Sequence, residues 1–119
     1  MTKAPKTPAW LDRFPVLAMH SPLTAERASC GWWFVYVDVT VKVAGGAMRV
    51  EAHGIVEGTD APEIDKSQRG GVNVMHLIAL ESLWHPVSGV HIPCPSVVEA
   101  LELANDIVFN ITASNEVTP

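Results

Sequence analysis

The residues with the clearest capacity for chemistry are one aspartate and one histidine, Asp38 and His53. They lie in two segments that are predicted to pair as strands, in a register that sets them directly opposite each other. A carboxylate beside an imidazole favours the protonated ring and fixes its tautomer, which is how a general base is oriented. The sequence ties no nucleophile to the pair, although Thr40 lies on the same strand face. A catalytic role is therefore an alternative hypothesis, since such pairs are also common as surface ion pairs.

A second group of residues has the chemistry of metal ligands. The group comprises His85, His91 and Cys94, with Cys30, His20 and His76 as further ligands if the fold brought them close. Structural zinc sites usually contain paired cysteines at short spacing, and this chain has none. The acidic residues of 58–71 also lack the tight spacing and central glycine of a calcium loop. The sequence therefore predicts no metal and no other cofactor.

These residues depend on one long β-hairpin, which is predicted over 32–43 and 47–57. Five valines and Trp33 occupy every second position from Trp33 to Val43, with polar or aromatic residues between them. A period of two is typical of a strand with one buried face. The two glycines at 45–46 are predicted to form the loop, since glycine adopts the positive φ values of a two-residue turn.

The register of this hairpin follows from the apolar pattern. With the two glycines as loop residues, Val41 lies opposite Val50 and the other apolar residues of that face also meet apolar partners. A slip of one residue would move every apolar side chain to the other face. The same register places Asp38 opposite His53.

The face opposite the valines is charged near the turn and apolar at its far end. The predicted binding residues of that end are Trp32, Phe34, Tyr36 and Ile55. Exposed apolar patches on soluble domains usually mark interaction sites. Either the N-terminal segment covers these residues with Trp10 and Phe14, or a partner does. Trp84, at a predicted loop tip, and the loop 58–71 are expected to be neighbours of this surface.

The remaining chain completes an α+β fold. A helix is predicted over 96–113, since Ser96 and Glu99 form a capping box ahead of apolar residues at helical spacing. The segment 73–84 is predicted as a third strand, although a buried helix fits its pattern equally. A turn is predicted at 85–89 and a short strand at 90–92. The fold class is therefore an antiparallel sheet of three to four strands, with the helix packed on one face.

Further predictions concern the two ends of the chain and the loop 58–71. The proline-punctuated residues 1–9 are expected to be disordered and 114–119 to be frayed, with 58–71 a mobile loop. Residues 16–20 are predicted as an edge strand or extended segment, and 21–27 as one or two helical turns.

Composition limits the possible functions. The chain has 119 residues, 48% of them hydrophobic and 18% charged, which is typical of a single globular domain. A formal net charge of −5 argues against direct nucleic-acid binding, which needs a basic surface. No apolar run approaches the roughly 20 residues of a membrane helix. The N-terminus lacks a hydrophobic signal core, so we expect a cytoplasmic protein.

The sequence therefore favours a non-catalytic protein-interaction module. We expect a small adaptor or inhibitor that binds another protein, or a second copy of itself, through the aromatic sheet face. The alternative hypothesis is a small enzyme or ligand-binding domain that uses Asp38 and His53 beside an aromatic pocket.

Overall fold

A computed structural model describes residues 13–20, 24–27, 33–56 and 69–116. Its elements are α1 (Pro15–His20), β1 (Thr24–Arg27), β2 (Trp33–Val43), β3 (Gly46–Val56), β4 (Arg69–Leu80), β5 (Leu83–Cys94) and α2 (Val97–Glu116). The strands form an antiparallel sheet in the order β1-β2-β3-β4-β5. The predicted α+β class, with an antiparallel sheet and a C-terminal helix, is confirmed. The sheet has five strands, and three to four were expected.

The core lies between one face of the sheet, here called the valine face, and α2. Alternate residues of β2 and β3 are buried, as the period of two predicted. The core residues between the sheet and the helix are Val35, Val37, Val39, Val41, Val50, Ala52, Val56 and Val72 from the sheet, and Val97, Ala100, Leu101, Ala104 and Val108 from α2. Each fully buried side chain of valine or leucine size contributes about 1.5–3 kcal/mol relative to exposure. The hairpin and the helix therefore supply most of the core among the described residues.

The start of α2 is fixed by its cap and by a close approach to the sheet. Ser96 Oγ accepts a hydrogen bond from the Glu99 amide at 3.1 Å, as the capping box predicted. A Cβ at Gly54 would collide with Val97 Cγ2 and would lie 2.7 Å from the Arg69 carbonyl oxygen. The helix therefore rests directly on the backbone of β3. It extends to Glu116, past the predicted end at 113, so residues 114–116 are helical.

The predicted hairpin register is wrong by two residues. Val43 pairs with Gly46, so the turn consists of Ala44 and Gly45, and Val39 pairs with Val50. A shift of two keeps every side chain on its predicted face, because the side-chain period of a strand is two. The two registers therefore differ in which residues form the turn, and not in the face that each side chain occupies. The left-handed conformation is needed at Gly45 alone, where φ is +81°.

Two predictions for the N-terminal part are also wrong. Residues 15–20 form a helix, and Thr24–Arg27 form the edge strand that pairs with β2. The short helix α1 is held by a contact that lies far away in sequence. The amides of Val16 and Leu17 donate to Asn105 Oδ1 of α2 at 3.0 and 3.2 Å. This cap at the start of α1 has no local sequence signal.

The second hairpin, formed by β4 and β5, turns at a different position from the one predicted. The prediction of a strand at 73–84 is confirmed in β4, which extends from Arg69 to Leu80. The turn lies at Glu81 and Ser82, and the turn expected at 85–89 falls inside β5. Strand β3 pairs with β4 only as far as Leu77. Residues 78–85 therefore project beyond the sheet as a two-stranded extension, here called the arm.

Several predictions fall on residues outside the described ranges. These are the disordered tail 1–9, the mobile loop 58–71 up to residue 68, the frayed residues 117–119, and the side chains of Trp10, Cys30 and Trp32. Residues 69–71 of that predicted loop begin β4.

Candidate binding face

The face of the sheet that points away from α2 is here called the open face. Phe14 and Leu17 of the N-terminal part join the core cluster on the valine face, and α1 packs against α2. Among the described elements, both helices therefore lie on the valine side. The open face is left to the side chains of β2 to β5.

Phe34, Tyr36 and Ile55 form an aromatic patch at one end of the open face. Phe34 pairs directly with Ile55, and the rings of Phe34 and Tyr36 are 5.3 Å apart between centroids, tilted by 37°. Phe34 is 40% exposed and Ile55 is 45% exposed. The structure thus brings together three of the predicted binding residues, and Trp32 lies outside the described residues.

The described part of the N-terminal segment does not cover this patch. Phe14 was expected to pack there, but it is 2% exposed within the core on the valine side. The fold therefore uses this phenylalanine to seal the core beside α2.

Trp84 lies far from the aromatic patch. Ile55 pairs with Arg69 at the start of β4, whereas Trp84 pairs with Ala79 near its end. Ten residues of β4 separate those two partners, which corresponds to about 33 Å at 3.3 Å per residue. The expectation that Trp84 neighbours the patch is wrong. Trp84 belongs to the arm, where it is 44% exposed.

A band of polar residues crosses the open face beside the aromatic patch. Successive cross-strand partners on β2, β3, β4 and β5 are Asp38, Glu51, Asn73 and His91. With Arg49 they form the polar band. Its members are hydrogen-bonded to one another from one strand to the next, so the side chains hold each other in place.

The acidic half of the polar band is organised by Arg49. Its Nε and Nη2 donate to the two carboxylate oxygens of Asp38 at 2.8 and 2.5 Å, and Nη2 lies 3.5 Å from Glu51 Oε2. The hydrogen bonds to Asp38 raise the pKa of the guanidinium, partial burial opposes this, and the charges of Asp38 and Glu51 add to it. The Arg49 and Asp38 side chains are 38% and 37% exposed, so the pair contributes about 1 kcal/mol or less to stability.

The other half of the polar band orients a histidine. Asn73 Nδ2 donates to Glu51 Oε1 at 3.1 Å, so the amide oxygen of Asn73 faces His91 Nδ1 at 2.7 Å. An amide oxygen only accepts, so Nδ1 of His91 carries the hydrogen. In the neutral ring, Nε2 is then left with its lone pair.

His53 lies beside this histidine on the same face. The two rings are 5.7 Å apart between centroids and nearly parallel, at 17°. They meet above Gly71, which lies between them on β4. A Cβ at Gly71 would lie 2.8 Å from His91 Cε1 and 3.1 Å from His53 Cε1. The missing side chain is therefore what allows the two rings to approach.

The predicted Asp38–His53 pair is not formed. Asp38 pairs with Glu51 and binds Arg49, while His53 pairs with Tyr36 and stacks on His91. The cause is the two-residue register shift. The sequence reasoning missed Glu51, Asn73 and His91 as a connected set, because aligning them requires the register of four strands.

The other potential metal ligands of β5 diverge. His91 faces the open side, whereas Cys94 packs against the core. Partial burial raises the pKa of the Cys94 thiol, and the nearby carboxylate of Glu99 raises it further. Within the described residues, no group of three or more His, Cys, Asp or Glu side chains is arranged to hold a metal ion.

One edge strand of the sheet, β5, is poorly suited to binding a partner by strand addition. Strand β5 ends the sheet order, and it contains Pro86 and Pro93. Proline has no amide hydrogen to donate to a neighbouring strand, and natural edge strands use it to prevent pairing. The open face is therefore better suited than this edge to contact another protein.

Comparison of the chain with protein-family models, curated proteins and solved structures finds no match. Neither helix of the described chain is long and apolar enough to cross a membrane.

Proposed function

We propose that this protein is a non-catalytic protein-interaction module, a small cytoplasmic adaptor or inhibitor. Its open face binds another protein or a second copy of the chain. The observation that carries the proposal is the aromatic patch, where Phe34 and Ile55 remain 40% and 45% exposed on a face that no described element covers.

The aromatic patch has the chemistry of an interface centre. Aromatic residues are enriched in protein interfaces, and tyrosine is over-represented among the residues that carry most of the binding energy. Tyr36 is held against Phe34, so it loses little side-chain freedom on binding. Burying both residues against a partner would remove apolar surface from water at about 25 cal/mol per Å².

The polar band favours a specific contact over non-specific adhesion. Its donors and acceptors are already joined through Arg49 and Asn73, so binding would not have to order them. Side chains that are ordered before binding reduce the entropic cost of association. The aromatic patch would supply affinity, and the neighbouring polar band would select the partner by charge and hydrogen bonding.

The experiment is light scattering after size exclusion, on the wild type and on Phe34→Asp. Phe109→Asp is the matched control, because Phe109 is 56% exposed on the outer side of α2. We expect Phe34→Asp to abolish association while its circular dichroism remains that of the wild type. We expect Phe109→Asp to leave association unchanged.

The outcomes separate the possible partners. A wild-type dimer that Phe34→Asp converts into a folded monomer would identify a second copy as the partner. With a monomeric wild type, the two variants would be compared as baits in a pull-down, and the partner should bind only Phe109→Asp. A partner or dimer that tolerates Phe34→Asp would contradict the proposal.

A further inference from the structure

We propose that His53 and His91 form a binding site for a divalent transition-metal ion that prefers imidazole ligands. The site lies on the open face above Gly71. Metal binding there does not require the proposed protein partner, although His91 also belongs to the polar band, and the site differs from the group of His85, His91 and Cys94 considered from the sequence.

The sheet brings the rings of His53 and His91 together on one face. The two imidazole rings come from β3 and β5, and they approach each other across β4 because Gly71 has no side chain. Ring atoms of both histidines lie near the same point. The Cβ position of Gly71 is 3.2 Å from His53 Nε2 and 2.8 Å from His91 Cε1, the ring carbon between Nδ1 and Nε2. Because each Nε2 lone pair lies in the plane of its ring, binding one ion would turn the His53 ring out of its stacked position while His91 stays on Asn73.

Asn73 fixes which nitrogen of His91 carries the hydrogen. A histidine that binds a metal usually donates its other ring N–H to an oxygen, which fixes the tautomer and the ring orientation. His91 has this arrangement, since Nδ1 donates to Asn73 Oδ1 at 2.7 Å and Asn73 donates in turn to Glu51. The lone pair of Nε2 is therefore held ready for an ion. Asn73 acts as a positioning residue.

Two imidazole ligands determine the class of ion that this site would bind. Imidazole suits Zn²⁺, Ni²⁺ and Cu²⁺, and the affinity of nitrogen sites generally follows the order that places Cu²⁺ highest. Two protein ligands leave the remaining coordination positions to water. His91 is exposed on the edge strand β5, so an ion can reach the site from solvent.

The test is isothermal titration of the folded chain with Zn²⁺. We expect one ion per chain and at least a tenfold loss of affinity in both His53→Ala and His91→Ala. The matched control is His85→Ala, because His85 is an exposed histidine on the arm. It should leave the affinity unchanged.

Residue-resolved spectra complete the test. Trace Cu²⁺ should broaden the ring signals of His53 and His91 before those of the other histidines. Asn73→Ala should remove the tautomer preference of His91 in a long-range ¹H–¹⁵N spectrum and weaken Zn²⁺ binding about tenfold. The inference is overturned if Zn²⁺ does not bind, or if either His53→Ala or His91→Ala binds it as tightly as the wild type does.

Discussion

The two hairpins of the sheet have similar lengths and opposite environments. In β2–β3, each strand has 11 residues, and the hairpin buries its valines under α2. In β4–β5, each strand has 12 residues, and the hairpin leaves the sheet after Leu77. Leu80 and Leu83 in its arm are 52% and 63% exposed. The first hairpin therefore contributes most of its length to the core, whereas the second contributes Val72 near one end and projects its arm beyond the sheet.

The turns of the two hairpins also differ, in the residues on which they place a positive φ. The first turn places its positive φ on Gly45, where the left-handed conformation carries little strain. The second turn has positive φ at Glu81 (52°) and Ser82 (69°), which are not glycines. Each such residue costs about 1–2 kcal/mol. The first hairpin thus places its left-handed residue on a glycine, and the second carries left-handed strain at its tip.

The largest expected effect compares the same substitution in the two environments. Leu101→Ala removes a 1% exposed side chain of α2 that covers the valine face, and we expect a loss of about 2–5 kcal/mol. Leu83→Ala on the arm should change stability by less than about 0.5 kcal/mol. Urea unfolding of both variants measures this difference. Equal losses would show that the arm is part of the core.

A smaller effect is expected at the first turn. Gly45→Ala forces an L-residue into φ near +81°, where a Cβ would meet no atom within 4 Å. Any loss of stability therefore comes from the backbone, and we expect about 1–2 kcal/mol by urea unfolding. An unchanged midpoint would mean that the turn relaxes into a conformation without a positive φ at position 45.

The second turn should respond in the opposite direction. Ser82→Gly relieves the left-handed strain at φ 69°, partly offset by the greater freedom of glycine in the unfolded chain. We expect a net gain of about 0.5 kcal/mol in thermal or urea unfolding. A loss of stability would indicate that the Ser82 side chain stabilises the arm.

The smallest effect concerns Cys94, where the second hairpin rejoins the core. Because partial burial and Glu99 raise the pKa of this thiol, less thiolate is present at pH 8 than in a free cysteine. Alkylation by iodoacetamide should therefore be slower than for a model thiol, in a Cys30→Ser background that leaves Cys94 to report. Glu99→Gln should speed it modestly, and no change would remove Glu99 as a cause.

More of the fold than of the candidate site could be predicted from the sequence, for a physical reason. The alternation of valines identifies a strand and its buried face. It does not determine the register, because a shift by any even number of residues keeps every valine on the same face. That ambiguity leaves Val39 on the correct face and separates Asp38 from His53. The polar band needs the registers of β3, β4 and β5 together, and the pattern of β4 fits a buried helix as well as a strand.

The proposed function requires the open face to be a surface and not a second core, and the stability of Phe34→Asp distinguishes the two. Its free energy of unfolding should be compared with that of the wild type in urea, at a dilution where both are monomeric. We expect a change below about 1 kcal/mol, since Phe34 is 40% exposed. A loss of about 2–5 kcal/mol, as expected for Leu101→Ala, would contradict this expectation and make the aromatic patch part of the core.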